Sequence, residues 1–475
     1  MSAASNARWV ATIQFARVGV QLLSLVFLSR LLSRDDFGLL AMATVVTNFA
    51  MLMRDLGTAA AVIQRPRIDV GMLDTAFWMS CVTGVVLGAA VLASAPIAAA
   101  FMQAPRLEGL LSMLAIVFPI SGMTIVQQAV LERAGRFAVI ARIEITSVLA
   151  GFAIALLAAD RGAGPYSLVL QTITVACLTT LQLHLTSSWR PRWSWDRQQL
   201  RELWRFGGSL SGFNIINYFA RNADSMIVGR TLGAASLGAY SLAYRIMLFP
   251  LYNLTFVATR ALFPVMSRRQ ADAGQVADLY LRTLSVIAFF TAPLMTGLFV
   301  LREPFVDVLL GERWSVVIEL IAWLAPVGFI QSLVSPSGSV FTALGRTDIQ
   351  LKLGIAAALT HILAFVIGVR WGIAGLARCY LLANVLTAVA TMLLTMRLLN
   401  HTPWRLVAAL HRPIAIALIM GLCVSVASDG FAHSLPQAVQ LACFASGGAL
   451  LYFAVARYAA STLEREVRRI LLGRV

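Results

Sequence analysis

The chain has 475 residues, of which 59% are hydrophobic and 13% charged, and its formal net charge is +16. Soluble domains carry a charged fraction of roughly 25%, so this composition, with a mean hydropathy of +0.79, excludes an ordinary soluble protein and indicates an all-α polytopic membrane protein. The basic residues are spread over many short loops, which makes the charge a topology signal rather than the mark of a nucleic-acid partner.

Runs of about 20 apolar residues cross roughly 30 Å of hydrocarbon at 1.5 Å per residue. About fourteen such runs follow one another, near 10–31, 37–58, 73–95, 108–130, 138–158, 165–186, 207–228, 236–258, 279–301, 315–338, 350–369, 373–396, 411–428 and 437–457. The first is of full spanning length and carries Arg17 within it, so it reads as a mature helix rather than a cleaved leader. Gln14, Arg17, Gln21 and Ser24 are spaced three, four and three apart and share one face of that helix. An arginine at the centre of a span costs about 2.5–3.5 kcal/mol. Arg17 therefore either lines a watery cavity or snorkels to the headgroups and neighbouring helices.

The second run carries Thr44, Thr47, Asn48, Met51, Arg54 and Asp55. In the fifth, Arg142 and Glu144 are two residues apart and point to different sides, so each needs its own partner. Between the sixth and seventh runs lies a segment dense in Trp and Arg, Trp189 to Arg205, expected to be a cytoplasmic interfacial linker. The seventh run is striped with Asn214, Asn217, Arg221, Asp224 and Ser225. Arg221 and Asp224 can form a structural ion pair, or Asp224 accepts a proton or sodium ion in one conformation with Arg221 as its alternate partner. Tyr240, Tyr244, Arg245, Tyr252 and Thr255 mark the eighth run, Glu319 the tenth and Arg378 the twelfth.

The candidate substrate-binding set is thus Gln14, Arg17, Gln21, Asn48, Arg54, Asn214, Asn217, Arg221 and Arg245, with Asp224, Glu144 and Glu319 as candidate ion-coupling acids. Cations outnumber acids at membrane depth, which favours an anionic ligand such as phosphate. The five cysteines all fall inside apolar runs, and the five histidines are scattered without metal spacing or a nucleophile motif. No metal, catalysis or cofactor is expected, apart from proton or sodium coupling.

The chain also repeats itself. Ser29-Arg30-Leu31-Leu32 with Phe37-Gly38 returns 200 positions later as Gly229-Arg230-Thr231-Leu232 with Leu237-Gly238, and Gln14, Arg17, Gln21 and Ser24 are matched in register by Asn214, Asn217, Arg221 and Asp224. At a spacing of 210, Ala134-Gly135-Arg136 pairs with Leu344-Gly345-Arg346, and Gly162 with Gly372. An even number of spans per repeat makes these parallel repeats, as in transporters. The expected organisation is an N-terminal lobe of six helices over 1–188, the linker over 189–206, a C-terminal lobe over 207–400, and two further helices with an amphipathic cytoplasmic tail over 401–475. Counting loops outward, Arg65, Arg67, Arg133, Arg136, Arg190, Arg192, Arg268, Arg346 and Arg397 fall on the same side as the ends of the chain. The positive-inside rule then puts both termini in the cytoplasm.

Leu31 to Leu39 leading into Ala41-Met42-Ala43, then Asp55-Leu56-Gly57 with Ala61-Val62-Ile63-Gln64, Thr75-Ala76-Phe77-Trp78 and the run Asn222 to Arg230, closely resemble the lipopolysaccharide and colanic acid exporter branch of the Wzx-like oligosaccharide flippases. These belong to the polysaccharide transport family within the multidrug, oligosaccharidyl-lipid and polysaccharide exporter (MOP) superfamily. The resemblance implies a V-shaped pair of six-helix lobes around a cationic cavity in the bacterial inner membrane. It also implies movement of a polyprenyl-diphosphate-linked oligosaccharide from the cytoplasmic to the periplasmic leaflet, for lipopolysaccharide or exopolysaccharide biosynthesis. In related lipid flippases arginines on the first, second and eighth helices hold the diphosphate. Arg17 and Arg54 occupy suitable helices, and Arg245 and Arg260 compete for the third role. Membrane lipids, a polysaccharide polymerase and export machinery are the implied partners, and the last two helices would offer a groove for the lipid tail. Two other classes stand beside this one: a cation-coupled multidrug exporter of the same superfamily, and a scaffold that recruits glycan enzymes without transporting.

Overall fold

The computed structural model describes residues 19–54, 70–251, 255, 266–268, 272–431 and 436–459, with the backbone path alone at 197–217, 220, 250, 431, 458 and 459. Among the described residues the chain is all α with no strand. In chain order the helices are α1 Gly19–Leu31, α2 Arg34–Arg54, α3 Val70–Phe101, α4 Arg106–Leu114, α5 Val117–Gly122, α6 Ile125–Arg133, α7 Phe137–Asp160, α8 Tyr166–Thr186 and α9 Arg197–Pro250. There follow α10 Ala273–Val300, α11 Arg302–Leu309, α12 Ser315–Ala343, α13 Thr347–Gly368, α14 Gly372–Leu398, α15 Trp404–Phe431 and α16 Gln437–Ala459. Ten stretches among the described residues are long and apolar enough to span a membrane, or eleven with the bent pair Arg106–Gly122 and Ile125–Arg133, and one of the ten, Thr347–Leu398, comprises both α13 and α14. Gln14, Arg17 and the amphipathic tail expected after residue 460 lie outside the described residues.

By contact the chain divides into two compact units, Met1–Gly238 and Ala239–Val475. This is a different division from the repeat correspondence, whose boundary at 189–206 lies inside the first unit. In that unit α7 packs along α8, and α3 packs against α4 and α5. Pro105 and Gln103, the latter with a φ of 54°, turn the chain between α3 and α4. In the second unit α10 packs on α12 and α15, α14 on α12 and α13, and α15 on α16. The two terminal helices thus clasp α10. Phe289 on α10 meets Tyr452 and Phe453 on α16 at ring distances of 5.4 and 5.9 Å, and Ser285 donates to the Ala409 carbonyl at 3.0 Å.

The repeats read in the sequence have a physical counterpart at three places. Gly135 and Gly345 carry φ values of 65° and 67°. In the first case Gly135 N–H bonds Glu132 O and Arg136 N–H bonds Leu131 O; in the second Gly345 bonds Thr342 O and Arg346 bonds Phe341 O. Both are the left-handed helix stop whose C′ position favours glycine, so the same Gly-Arg pair ends a helix in each repeat.

Ser33 and Gly233 also correspond. Ser33 N–H donates to Asp36 Oδ2 at 2.9 Å and Ser33 Oγ accepts from Asp36 N–H at 3.2 Å, a capping box that starts α2. Gly233, with φ 80° and ψ 179°, breaks α9 into two arms at the same register. Just beyond, a Cβ on Gly38 would overlap the Ala234 carbonyl, and a Cβ on Gly238 would overlap the Arg34 carbonyl. Residues 34 and 38 thus cross residues 234 and 238 reciprocally, backbone on backbone, as small residues permit between membrane helices.

The Trp- and Arg-rich linker is held by protein contacts rather than lying free. Asp74 accepts from Arg192 N–H at 3.0 Å, Thr75 from Asp196 N–H at 3.2 Å, and Trp78 Nε1 donates to the Arg192 carbonyl at 2.9 Å. The Trp78 and Trp193 rings stand edge to face at 4.4 Å. Thr75-Ala76-Phe77-Trp78 is therefore the seat of the linker at the start of α3.

Candidate functional site

Helix α2 and the first arm of α9 meet at an aromatic seam. Tyr218 Oη donates to the Val45 carbonyl at 2.6 Å, and Phe49 packs against Tyr218 and Phe219 at ring distances of 5.6 and 5.2 Å. Beside this seam Asn48 on α2 and Arg221 on α9 are exposed, as is Gln21 on α1. Arg54 is half-buried in the last turn of α2. Asn214 and Asn217 lie on the described backbone of α9, but their side chains, like all of Gln14 and Arg17, fall outside the described residues.

Asp224 is buried, at 5% exposure, and its Oδ1 accepts from Ser225 N–H at 2.6 Å. Arg221, one turn earlier, is exposed and takes part in no ion pair among the described residues. The Arg221–Asp224 pair that the spacing allows is not formed. Farther along, Arg230 donates to the Phe101 carbonyl and stacks over the Phe101 ring at 4.8 Å, which ties α9 to the end of α3.

The remaining candidates are dispersed. Glu144 is half-buried and Arg142 exposed on α7. Arg245 is exposed on the second arm of α9. Glu319 is bonded to Arg378 at 3.1 Å with both side chains about half exposed, and Arg378 stacks over Trp323 at 5.1 Å. Among the described residues no group of three or more His, Cys, Asp or Glu side chains is placed to hold a metal.

The second unit holds a cavity of about 370 Å³ between the end of α9, α12, α13 and α14, lined by Leu251, Ile330, Gln331, Val334, Ser335, Ala357, His361, Asn384, Thr387 and Thr391. Sequence reasoning passed over it. Its signal was present all the same: Tyr380, Asn384, Thr387 and Thr391 are spaced four, three and four along α14, a polar stripe with no charge in it. A search led by ionisable residues does not see such a stripe.

Comparison with known proteins places this geometry. The family described as "Polysaccharide biosynthesis protein" matches residues 27–319. The chain is 28% identical to the lipopolysaccharide biosynthesis protein WzxC of Escherichia coli (strain K12), over 81% of this chain and 79% of that protein. It is 26% identical to the teichuronic acid biosynthesis protein TuaB of Bacillus subtilis (strain 168), over 94% of each. It is 25% identical to the succinoglycan biosynthesis transport protein ExoT of Rhizobium meliloti (strain 1021), over 94% of this chain and 91% of that one. Among solved structures, the lipid II flippase MurJ in an inward closed conformation superposes with a TM-score of 0.76 at 12% identity, over 96% of this chain and 99% of that one. An inward-facing multidrug resistance MATE family transporter of the MOP superfamily superposes with a TM-score of 0.63 at 16% identity, over 80% of this chain and 94% of that one. With ten apolar stretches of spanning length among the described residues and a family match over more than half its length, the chain is a multi-pass membrane protein of the polysaccharide biosynthesis protein family, built on the MOP-superfamily fold.

Proposed function

We propose that the protein is a flippase that moves a polyprenyl-diphosphate-linked oligosaccharide from the cytoplasmic to the periplasmic leaflet of the bacterial inner membrane, with both termini cytoplasmic and about fourteen spans. The observation that carries this reading is the near full-length likeness to relatives named for polysaccharide biosynthesis and transport. Physical chemistry supports it. A sugar headgroup with two phosphates loses water without replacement on entering hydrocarbon, and a polar path with arginines supplies the replacement.

Arg17, Arg54 and Arg221 are the cations proposed to neutralise the diphosphate, Arg245 being a further candidate, with Gln14, Gln21, Asn48, Asn214 and Asn217 lining the same path. Of the three candidate coupling acids, Asp224 is the one we put forward to accept a proton or sodium ion, because it is buried on a polar helix face. The protein moves its substrate without altering a covalent bond, and a polymerase acts on the product in the outer leaflet.

The test is the level and sidedness of polyprenyl-diphosphate oligosaccharides in cells lacking the protein, compared with the same cells carrying it. Accumulation on the cytoplasmic leaflet with loss of surface glycan is the expected result. Unchanged lipid-linked sugars with raised drug sensitivity would replace this reading with the cation-coupled multidrug exporter.

A further inference from the structure

The cavity of the second unit lies in the middle stretches of three membrane helices, where an uncompensated polar group is costly and where transporters of this kind bind their cargo. Its polar groups are held in place before any ligand arrives. Gln331 Nε2 donates to Tyr380 Oη at 2.8 Å and to Asn384 Oδ1 at 3.0 Å, and Asn384 Nδ2 donates to the Tyr380 carbonyl at 2.8 Å. The Tyr380 hydroxyl is a further 3.3 Å from that of Tyr244. Thr387 and Thr391 donate their hydroxyl protons to carbonyls of their own helix at 2.8 and 2.7 Å, so their oxygens keep lone pairs to accept with. His361, edge to face with Tyr380 at 5.3 Å, has a buried Nε2 with no hydrogen-bond partner among the described residues.

The lining excludes two of the three parts of a lipid-linked oligosaccharide. Among the described residues no Arg, Lys, Asp or Glu lines the cavity, so a diphosphate held by these residues alone would be buried without compensation. An isoprenoid chain would leave Gln331 Oε1 and the free lone pairs of the Thr387 and Thr391 hydroxyls without a donor. A neutral sugar ring satisfies both sides: its C–H face packs on Leu251, Ile330 and Val334, and its hydroxyl or acetamido groups donate to the half-buried Gln331, which Asn384 holds in place, and to Thr387 and Thr391. The volume of about 370 Å³ falls within the roughly 300–1,000 Å³ usual for small-molecule sites.

We infer that this cavity is a binding subsite for an uncharged sugar ring of the substrate, distinct from the arginines proposed to hold the diphosphate. The inference rests on the flippase reading and adds the part of the molecule that sets specificity.

The test uses the full chain in phosphatidylethanolamine and phosphatidylglycerol nanodiscs. The thermal unfolding midpoint is titrated with polyprenyl diphosphate alone and with the lipid-linked oligosaccharide fraction extracted from cells lacking the protein. Two variants are compared with wild type: Asn384→Leu, and the near-isosteric Thr387→Val, which keeps the packing intact. Wild type is expected to bind the glycolipid more tightly than the bare diphosphate. Each variant is expected to lose about tenfold in glycolipid affinity, the order set by one or two hydrogen bonds, while its response to the bare diphosphate is unchanged. That retained response also serves as the check on folding. Wild-type affinity for glycolipid in Thr387→Val and Asn384→Leu overturns the subsite alone, as does equal binding of both lipids by wild type. A wild-type protein that responds to neither lipid overturns the flippase reading and the subsite together.

Discussion

At the residue scale, capping and pairing hold several of the charged side chains that sit outside the polar path. Asp272 caps α10 by accepting from Gly274 N–H at 2.9 Å and Gln275 N–H at 3.1 Å, and Gln275 Nε2 returns to its other oxygen at 2.9 Å. The Gln275 backbone bond, then its side-chain bond, hold the Asp272 carboxyl below the usual carboxylate range, with a further contribution from Gly274 N–H. A depressed folded pKa contributes stability that is present above the unfolded value and lost as pH falls through the folded one. Asp272→Ala should therefore speed amide hydrogen exchange at Gly274 and Gln275 at neutral pH, and the difference from wild type should fade below about pH 4, near the ordinary aspartate value. Glu319 and Arg378 form an ion pair at 3.1 Å. Glu319→Gln should leave the pH profile of export nearly unchanged. Asp224→Asn should flatten that profile, and equal profiles in both variants would remove Asp224 as the coupling acid.

At the scale of elements, glycines decide where helices stop and how closely they cross. Gly345, with its φ of 67°, has open space around its α-carbon, so any cost of Gly345→Ala is conformational. A non-glycine residue in the left-handed region costs about 1–2 kcal/mol, and the loss should be read as a lower midpoint in thermal unfolding. Gly38 and Gly238 differ in kind: the obstacle is a backbone carbonyl of the opposing helix, which cannot rotate aside. Gly38→Leu or Gly238→Leu should force the crossing apart at an overpacking cost of about 1–3 kcal/mol or more. Disulfide trapping between cysteines placed at 34 and 234 would report the separation, and trapping as efficient as in the glycine parent would refute the reciprocal crossing.

For the whole molecule, the distribution of arginines and the exposed polar faces make one account. Reporter fusions after Arg136, after Arg346 and at the C-terminus should all report the cytoplasm, and fusions after Arg161 and Arg370 the opposite side, as the loop charges require. Replacing Arg17 and Arg221 together with glutamine should lower surface glycan at least tenfold with normal protein levels in the membrane, since each charge-assisted hydrogen bond to phosphate contributes roughly 1.5–3 kcal/mol. Export untouched in that double variant would transfer the diphosphate to other cations, with Arg54 and Arg245 next in line.

The membrane class, the helical content, the internal repeat and the family were legible in the amino-acid sequence because each rests on local or additive quantities. Run length, hydropathy, recurring Gly-Arg turns and motif identity do not depend on which helix neighbours which. The stops at Gly135 and Gly345 follow from the same local backbone chemistry, and the echo located them. What only the tertiary structure decided concerns partners distant in sequence. The spacing of Arg221 and Asp224 permits an ion pair, yet burial of one and exposure of the other separates them. Glu319 and Arg378, 59 positions apart, are joined. Gln331, His361 and Asn384 each look unremarkable on their own helix, and become a cavity because α12, α13 and α14 pack side by side. Polarity along one helix can be read from spacing, but a site arises where several helices turn their polar faces to the same volume, and that choice is made by packing.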